Sequence, residues 1–130
     1  MTAFMEAFYK SVLDADKAPI VLCSLEHTIV YMNKAAAKRY AKEGGFALVG
    51  SSLLDCHPPR ANGLIEKILA WFGESPEHNV IHTFVNEEEN KHVYMIALRD
   101  ETGSLIGYYE KHAYRNRDSM PLYDFSKQKH

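Results

Sequence analysis

The sequence predicts an α+β domain: one five-stranded antiparallel sheet with helices on one face, preceded by an N-terminal helix. Three observations support this class. Apolar residues recur at helical spacing near the start, two short strand-like runs come before a helix-rich middle, and three longer strand-like runs follow it. Strands that are separated by a helical segment are typical of an antiparallel sheet with its helices gathered on one side.

The first half of the chain supplies a helix, two strands and a second helix. Phe4, Phe8 and Val12 form an apolar stripe on the first helix, which we expect to end near Asp16, ahead of Pro19. The runs "PIVLCS" and "TIVYMN" are predicted strands, and the polar "SLEH" between them indicates a hairpin. The run "KAAAKRYAK" is rich in helix-forming residues, and the two glycines after it favour a helix end.

The second half supplies a longer helix and three strands. The helix is predicted over residues 60–72 and closes at Gly73, because Leu64, Ile65, Ile68, Leu69 and Phe72 lie on one face. The runs "NVIHTFV", "KHVYMIALR" and "LIGYYEKHAY" follow, joined by the short polar turns "NEEEN" and "DETGS". We therefore expect a single domain over residues 1–117, with a partly disordered tail over residues 118–130.

Composition excludes several classes of partner. The chain has 130 residues, of which 46% are hydrophobic and 25% charged, with a formal charge of -2. This balance is ordinary for a globular domain and lacks the basic footprint of a nucleic-acid binder. No apolar run approaches the roughly 20 residues of a membrane span. Two distant cysteines and no signal peptide indicate a cytoplasmic protein with reduced thiols.

Several stretches together resemble a PAS domain. "TIVYMNKAAAKRY" is similar to the second PAS strand running into the first PAS helix, with Asn33 at the junction. "LVGSSLLD" resembles the segment before the long connecting helix, and "ALRDETGSLIGYYEKHAY" resembles the terminal hairpin. The stretch "CHPP" matches a bacterial PAS subgroup found beside haemerythrin-like modules in proteins of unknown function. The resemblance implies a sheet around a small internal cavity, a sensory role, and a homodimer through the N-terminal helix.

The stretch "LLDCHPPR" allows a structural and a functional interpretation. Adjacent Cys56 and His57 have no second pair at zinc-like spacing and no orienting third group, which disfavours a metal site or a catalytic pair. Pro58 restricts His57 to an extended conformation, and Pro59 suits the first turn of a helix. The stretch therefore predicts either a helix-entry joint or, since haem-binding PAS domains ligate iron through a histidine, a haem ligand at His57.

We predict that a ligand lies between the helix over residues 60–72 and the inner face of the sheet. Leu64, Ile68, Phe84 and Met95 are the candidate apolar lining, and His57, His82 and Tyr94 are the candidate polar contacts. Strict alternation places Val85 opposite His92 and His82 opposite Met95. It also directs His82 to one face of the sheet and both His92 and Tyr94 to the opposite face.

The sequence favours a binding module over an enzyme, because no P-loop, nucleophile-elbow or zinc-protease motif is present. The main hypothesis is a PAS sensor that binds a small, mainly apolar molecule and signals through dimer contacts. One alternative is a haem sensor that uses His57, and the other is a pure interaction module. A flavin is not expected, because "GSSLLDCHPP" does not match the G-x-N-C-R-F-L-Q motif of flavin photosensors.

Overall fold

The computed structural model describes residues 3–56 and 59–126. The element order confirms the prediction: α1 (Ala3–Ala15), β1 (Val21–Ser24), β2 (Ile29–Met32), α2 (Lys34–Arg39), three short 3₁₀ turns (Ala41–Glu43, Gly45–Leu48 and Leu53–Cys56), α3 (Pro59–Glu74), β3 (Val80–Asn86), β4 (Lys91–Arg99) and β5 (Leu105–Tyr114). Helix α3 begins at Pro59, which confirms the predicted place of this proline in the first turn.

The five strands form one antiparallel sheet in the order β2-β1-β5-β4-β3. The predicted α+β class is therefore confirmed. Helix α3 contributes Ile65, Ile68 and Phe72 to a core that they share with Met95 and Tyr108 of the sheet. The apolar face of α3 is thus buried against the inner face of the sheet, as its spacing predicted.

A β-bulge at Thr83 changes the predicted pairing of β3 with β4. Val85 does lie opposite His92, but the register shifts between His82 and Phe84, so His82 lies opposite Tyr94 and not Met95. A bulge places two residues against one and reverses the alternation beyond it. The prediction that His82 and Tyr94 face opposite ways is therefore wrong: their rings stack with centroids 4.7 Å apart.

The side chain of Asn33 bonds to three chain segments: the end of α1, the stretch before β1, and α2. Asn33 is fully buried, and its Oδ1 accepts hydrogen bonds from the backbone of Ile20 and Ala36, each at 2.9 Å. Its Nδ2 donates to the carbonyls of Leu13 at 2.8 Å and Ala18 at 3.0 Å. Asn33 therefore caps the N-terminus of α2 and also fixes the end of α1 to the sheet.

Arg99, at the end of β4, stabilises the C-terminal end of α3. Its guanidinium donates to the carbonyls of Phe72 at 2.8 Å and Ser75 at 3.2 Å, and to the side chain of Asn79 at 2.7 Å. The last carbonyls of a helix have no partner within the helix, and a guanidinium is a suitable donor to them. This long-range contact was not apparent from the sequence.

Helix α1 leaves its apolar stripe in solvent. Phe4 is 69% exposed, Phe8 is 54% and Val12 is 70%, and no described residue of the helix is buried. The helix is attached at its end, where the Tyr31 hydroxyl donates to Asp14 at 2.9 Å and Asn33 holds Leu13. Within residues 3–56 and 59–126, no helix has the length and apolar character needed to cross a membrane.

Candidate ligand cavity

A partly enclosed cavity of about 200 Å³ lies between the inner face of the sheet and the helical segment. Apolar side chains from β1, β2, α3, β4 and two 3₁₀ turns form most of its wall: Val21, Ile29, Met32, Leu48, Leu53, Ile65 and Met95. The described polar residues in the wall are Tyr40, Glu43, Tyr108, Glu110 and His112. A mainly apolar cavity with a few polar groups is typical of a site for a small molecule.

The polar end of the cavity is built by β5. Tyr108, Glu110 and His112 alternate along the strand and share its inner face, where they pair with Ala97, Met95 and Val93 of β4. The Nε2 atom of His112 lies 3.0 Å from Oε1 of Glu110. His112 is only 7% exposed, and its Nδ1 is buried without a hydrogen-bond partner among the described residues.

A chain of hydrogen bonds leads from the cavity wall to the surface of α3. The Tyr108 hydroxyl contacts the Cys23 thiol and lies 2.8 Å from Nδ1 of His27, while Nε2 of His27 lies 2.6 Å from Glu66. Because an ionised carboxylate only accepts, His27 donates from Nε2 and Tyr108 donates to Nδ1. His27 is buried and adopts a left-handed φ of 69°, a conformation that histidine tolerates better than most residues.

The two inner members of this chain resist ionisation. Burial raises the pKa of the Cys23 thiol to about 11, although its hydrogen bond with Tyr108 acts in the opposite direction. Burial, followed by the nearby Cys23, raises the pKa of the Tyr108 hydroxyl. A buried thiol with a raised pKa supplies little thiolate at neutral pH, which disfavours a nucleophilic role for Cys23.

We expect the free energy of unfolding to fall with pH above about pH 9. The Cys23 thiol has its ordinary pKa of 9.0 when unfolded and about 11 when folded, so the unfolded state loses its proton first. The contribution of the protonated Cys23 thiol to the free energy of unfolding is therefore complete below pH 9. It is lost as pH rises towards 11, at up to about 1.4 kcal/mol per pH unit. Urea denaturation between about pH 8 and pH 11 should give a shallower decline for Cys23→Ala than for wild type; equal declines would contradict the assignment.

The predicted site residues divide between the two faces of the sheet. Met95 lines the cavity, whereas Leu64, Ile68 and Phe84 line a more open groove beside it that shares Met95 and His112. His57 lies outside the described residues. His82 and Tyr94 lie on the face of the sheet opposite the cavity, and neither is among the residues that line it.

The prediction that His82 and His92 face opposite ways is also wrong. The bulge at Thr83 brings them to one face, where their rings stack 4.9 Å apart and His92 Nδ1 lies 3.2 Å from His82 Nε2. These are only two potential ligands. Within the described part of the chain, no group of three or more His, Cys, Asp or Glu residues is placed to hold a metal ion.

Sequence reasoning missed the most polar part of the cavity. Glu110, His112 and His27 were not candidates, although the alternation in "LIGYYEKHAY" places Glu110 and His112 on the same face as Tyr108. That shared face was the available signal. His27 gave none, because its position depends on a turn whose partners lie 39 and 81 residues away in the sequence.

With this geometry in place, comparison with known proteins identifies the class. Residues 13–111 match the family described as the PAS fold. The chain therefore belongs to the PAS family, whose members are generally sensory and non-catalytic modules. No curated protein matches the chain significantly.

Solved structures share the fold at low sequence identity. The PAS domain of a protein from Colwellia psychrerythraea has a TM-score of 0.59 at 14% identity, over 85% of this chain and 96% of that one. A sensory box sensor histidine kinase from Vibrio cholerae has a TM-score of 0.55 at 16% identity, over 86% and 92%. The Aer2 receptor of Vibrio cholerae, a dual PAS-heme oxygen sensor, has a TM-score of 0.51 at 19% identity, over 76% and 95%.

Proposed function

We propose that this PAS domain binds a small, mainly apolar molecule in its internal cavity and relays occupancy through contacts between two copies of the chain. The observation that carries the proposal is the cavity itself. It has a volume of about 200 Å³, apolar walls, and a polar end formed by Tyr108, Glu110 and His112. The PAS family is sensory, and a cavity of this kind is the usual place for a small ligand.

Ligand occupancy is relayed from the cavity to α1 through two consecutive residues at the end of β2. Met32 lines the cavity at the end of β2, and the next residue, Asn33, holds the Leu13 carbonyl of α1 at 2.8 Å. A ligand that displaces Met32 therefore changes the support of α1. Such a ligand shifts the equilibrium only if it binds one arrangement of α1 more tightly than the other.

The second copy docks on the exposed stripe of α1. Phe4 and Phe8 contact each other edge to face, with centroids 4.9 Å apart, and Val12 continues the stripe one turn further on. Three apolar side chains in a row on a single helix are costly to leave in water, and burial against an identical helix removes them from it. Members of the PAS family often use a helix in this position for dimer contacts, which favours a second copy as the occupant.

Phe8→Glu is expected to convert a dimer into a monomer, because the new charge would be buried between two α1 helices. Light scattering coupled to size-exclusion chromatography measures the mass directly. Lys10→Glu is the control, since it places a glutamate on the same helix away from the stripe and changes the net charge by even more, and this variant should remain dimeric. A wild-type protein that is monomeric at all concentrations would contradict the dimer proposal.

Analysis of the purified protein tests the ligand. We expect a colourless protein whose denatured extract releases one small molecule in stoichiometric amount, detected by mass spectrometry. A protein that yields no such molecule and takes up no small apolar probe would contradict ligand binding and leave a protein-interaction module. A Soret band in the visible spectrum would instead indicate haem.

The described residues do not fit haem. Sites for drug-sized molecules have volumes of roughly 300–1,000 Å³, and the cavity, at about 200 Å³, is smaller than these while haem is a larger molecule. This volume favours a small ligand over haem.

A further inference from the structure

His112 lines the cavity and carries one buried polar atom without a partner among the described residues. The residue lies on β5 opposite Val93, is 7% exposed, and lines the cavity. Its Nε2 is engaged by Glu110 at 3.0 Å, whereas its Nδ1 has no partner among the described residues. A buried polar atom without a partner is costly, so a molecule in the cavity that bonds to Nδ1 gains affinity.

The contact of His112 with Glu110 determines whether Nδ1 donates or accepts the hydrogen bond with a ligand. An ionised carboxylate can only accept, so the proton of a neutral His112 resides on Nε2, which donates to Oε1 of Glu110. The free Nδ1 is then an acceptor. A ligand that meets it must supply an O–H or N–H donor.

The charges around the cavity also favour a ligand that is not an anion. Glu43 and Glu110 are in the wall, and no lysine or arginine is among the described lining residues. Two cations of the adjoining groove, Arg39 and Lys91, are engaged by Glu89, which binds Arg39 through two hydrogen bonds of 3.0 and 3.2 Å and lies 3.2 Å from Lys91. A carboxylate or phosphate in the cavity would therefore face the carboxylates of Glu43 and Glu110 with no cation among the described lining residues, which disfavours anionic ligands.

The volume limits the size of the ligand. An apolar protein cavity of about 150 Å³ is large enough to bind benzene. At about 200 Å³, the present cavity has room for a single six-membered ring with one or two small substituents. A ring of this kind also matches the apolar wall of Ile29, Met32, Ile65 and Met95.

We infer that His112 selects the ligand, an inference that rests on the proposed function. The ligand is a neutral or cationic molecule of about one ring in size, and it donates an O–H or N–H to Nδ1. Phenol, anisole, toluene and benzoate are the matched probes. All four contain the same ring. Phenol offers a hydrogen-bond donor, anisole offers only an acceptor, toluene has no polar group, and benzoate is an anion. Titrations of the intact chain, followed by ¹H–¹⁵N NMR after removal of any co-purified molecule, give the dissociation constants.

We expect phenol to bind about tenfold more tightly than anisole, with benzoate the weakest probe, because only phenol satisfies Nδ1. His112→Phe should bind toluene yet lose the preference for phenol, and His112→Gln, whose side-chain carbonyl is an acceptor, should retain part of it. His92→Phe alters a histidine on the opposite face of the sheet and should keep the full preference.

The outcomes separate this inference from the proposed function. If toluene, anisole and phenol bind equally to wild type, the cavity binds ligands but His112 does not select them, and the inference is wrong. A preference for benzoate would also overturn it, because Nδ1 would then be a donor. If none of the four probes binds, both the inference and the ligand-binding proposal fail. The wild-type comparison of phenol with anisole needs no variant, so misfolding of His112→Phe cannot rescue or refute the inference.

Discussion

Gly107→Ala is expected to destabilise the domain by about 3 kcal/mol or more. A Cβ atom at this position would overlap the backbone carbonyl oxygen of Cys23 on the neighbouring strand. Because that atom belongs to the backbone, no side-chain rotation relieves the clash, and β1 and β5 must separate at their pairing of Ser24 with Gly107. Urea denaturation followed by circular dichroism measures the loss. A domain stability of typically 5–15 kcal/mol makes this a large fraction of the total.

Gly63→Ala is the matched control, since it makes the same chemical change with the opposite expected result. Gly63 lies within α3, and an added Cβ there meets no described atom within 4 Å. Alanine in a helix is more stable than glycine by about 0.5–1 kcal/mol, so this variant should be slightly more stable than wild type. If Gly107→Ala were as stable as Gly63→Ala, the close approach of β5 to β1 would be wrong.

Asn33→Ala should cost roughly 3 kcal/mol of unfolding free energy. It removes the cap of α2 and leaves buried backbone groups of Ile20, Leu13 and Ala18 without their partner. Thermal and urea denaturation give the magnitude. We also expect α1 to become more accessible, which faster amide hydrogen exchange near Leu13 would detect.

Asn33→Asp tests whether the cap alone explains the effect. Aspartate keeps an acceptor for Ile20 and Ala36 but cannot donate to the carbonyls of Leu13 and Ala18, and it buries a charge. We therefore expect a loss at least as large as that of Asn33→Ala, whereas a cap-only role would leave this variant near wild type. Asn116→Ala, which removes one exposed bond to Asn90, should change stability by less than about 0.5 kcal/mol.

Local periodicity was sufficient to predict the order of the elements. The face of α3 that carries Ile65, Ile68 and Phe72 and the alternation along β4 are both set by neighbours a few residues away. Gly107, which lies inside a predicted strand, carried a similar signal of close backbone approach that the sequence analysis did not use. These features depend on short segments, which the sequence displays directly.

The bulge at Thr83 shows where such reasoning fails. The bulge adds one residue to β3, and the amino-acid composition of the strand remains ordinary, so the sequence does not reveal it. The extra residue nevertheless reverses the direction of every side chain on one side of the bulge. The strand therefore places Phe84 opposite Val93 on the inner face and His82 opposite Tyr94 on the outer face. The predicted site was accordingly only partly correct in position, with Met95 at the cavity and His82 remote from it.

The polar end of the cavity needed the three-dimensional pairing of strands. Alternation places His112 on the same face of its strand as Tyr108, but the sequence does not show that this face is buried. Its burial follows from the place of β5 between β1 and β4, a pairing that joins residues distant in the chain. The same pairing brings Tyr108 to Cys23 and so completes the path to His27 and Glu66.

The bulge in β3 also affects how separate molecules behave towards one another. In the described sheet β3 is a terminal strand, and Val80, Phe84 and Val85 on it are exposed. A flat apolar strand at a sheet edge is a template on which further chains can add and aggregate. By bending and twisting β3 at Thr83, the bulge interrupts that template and so protects the sheet edge against the addition of further chains.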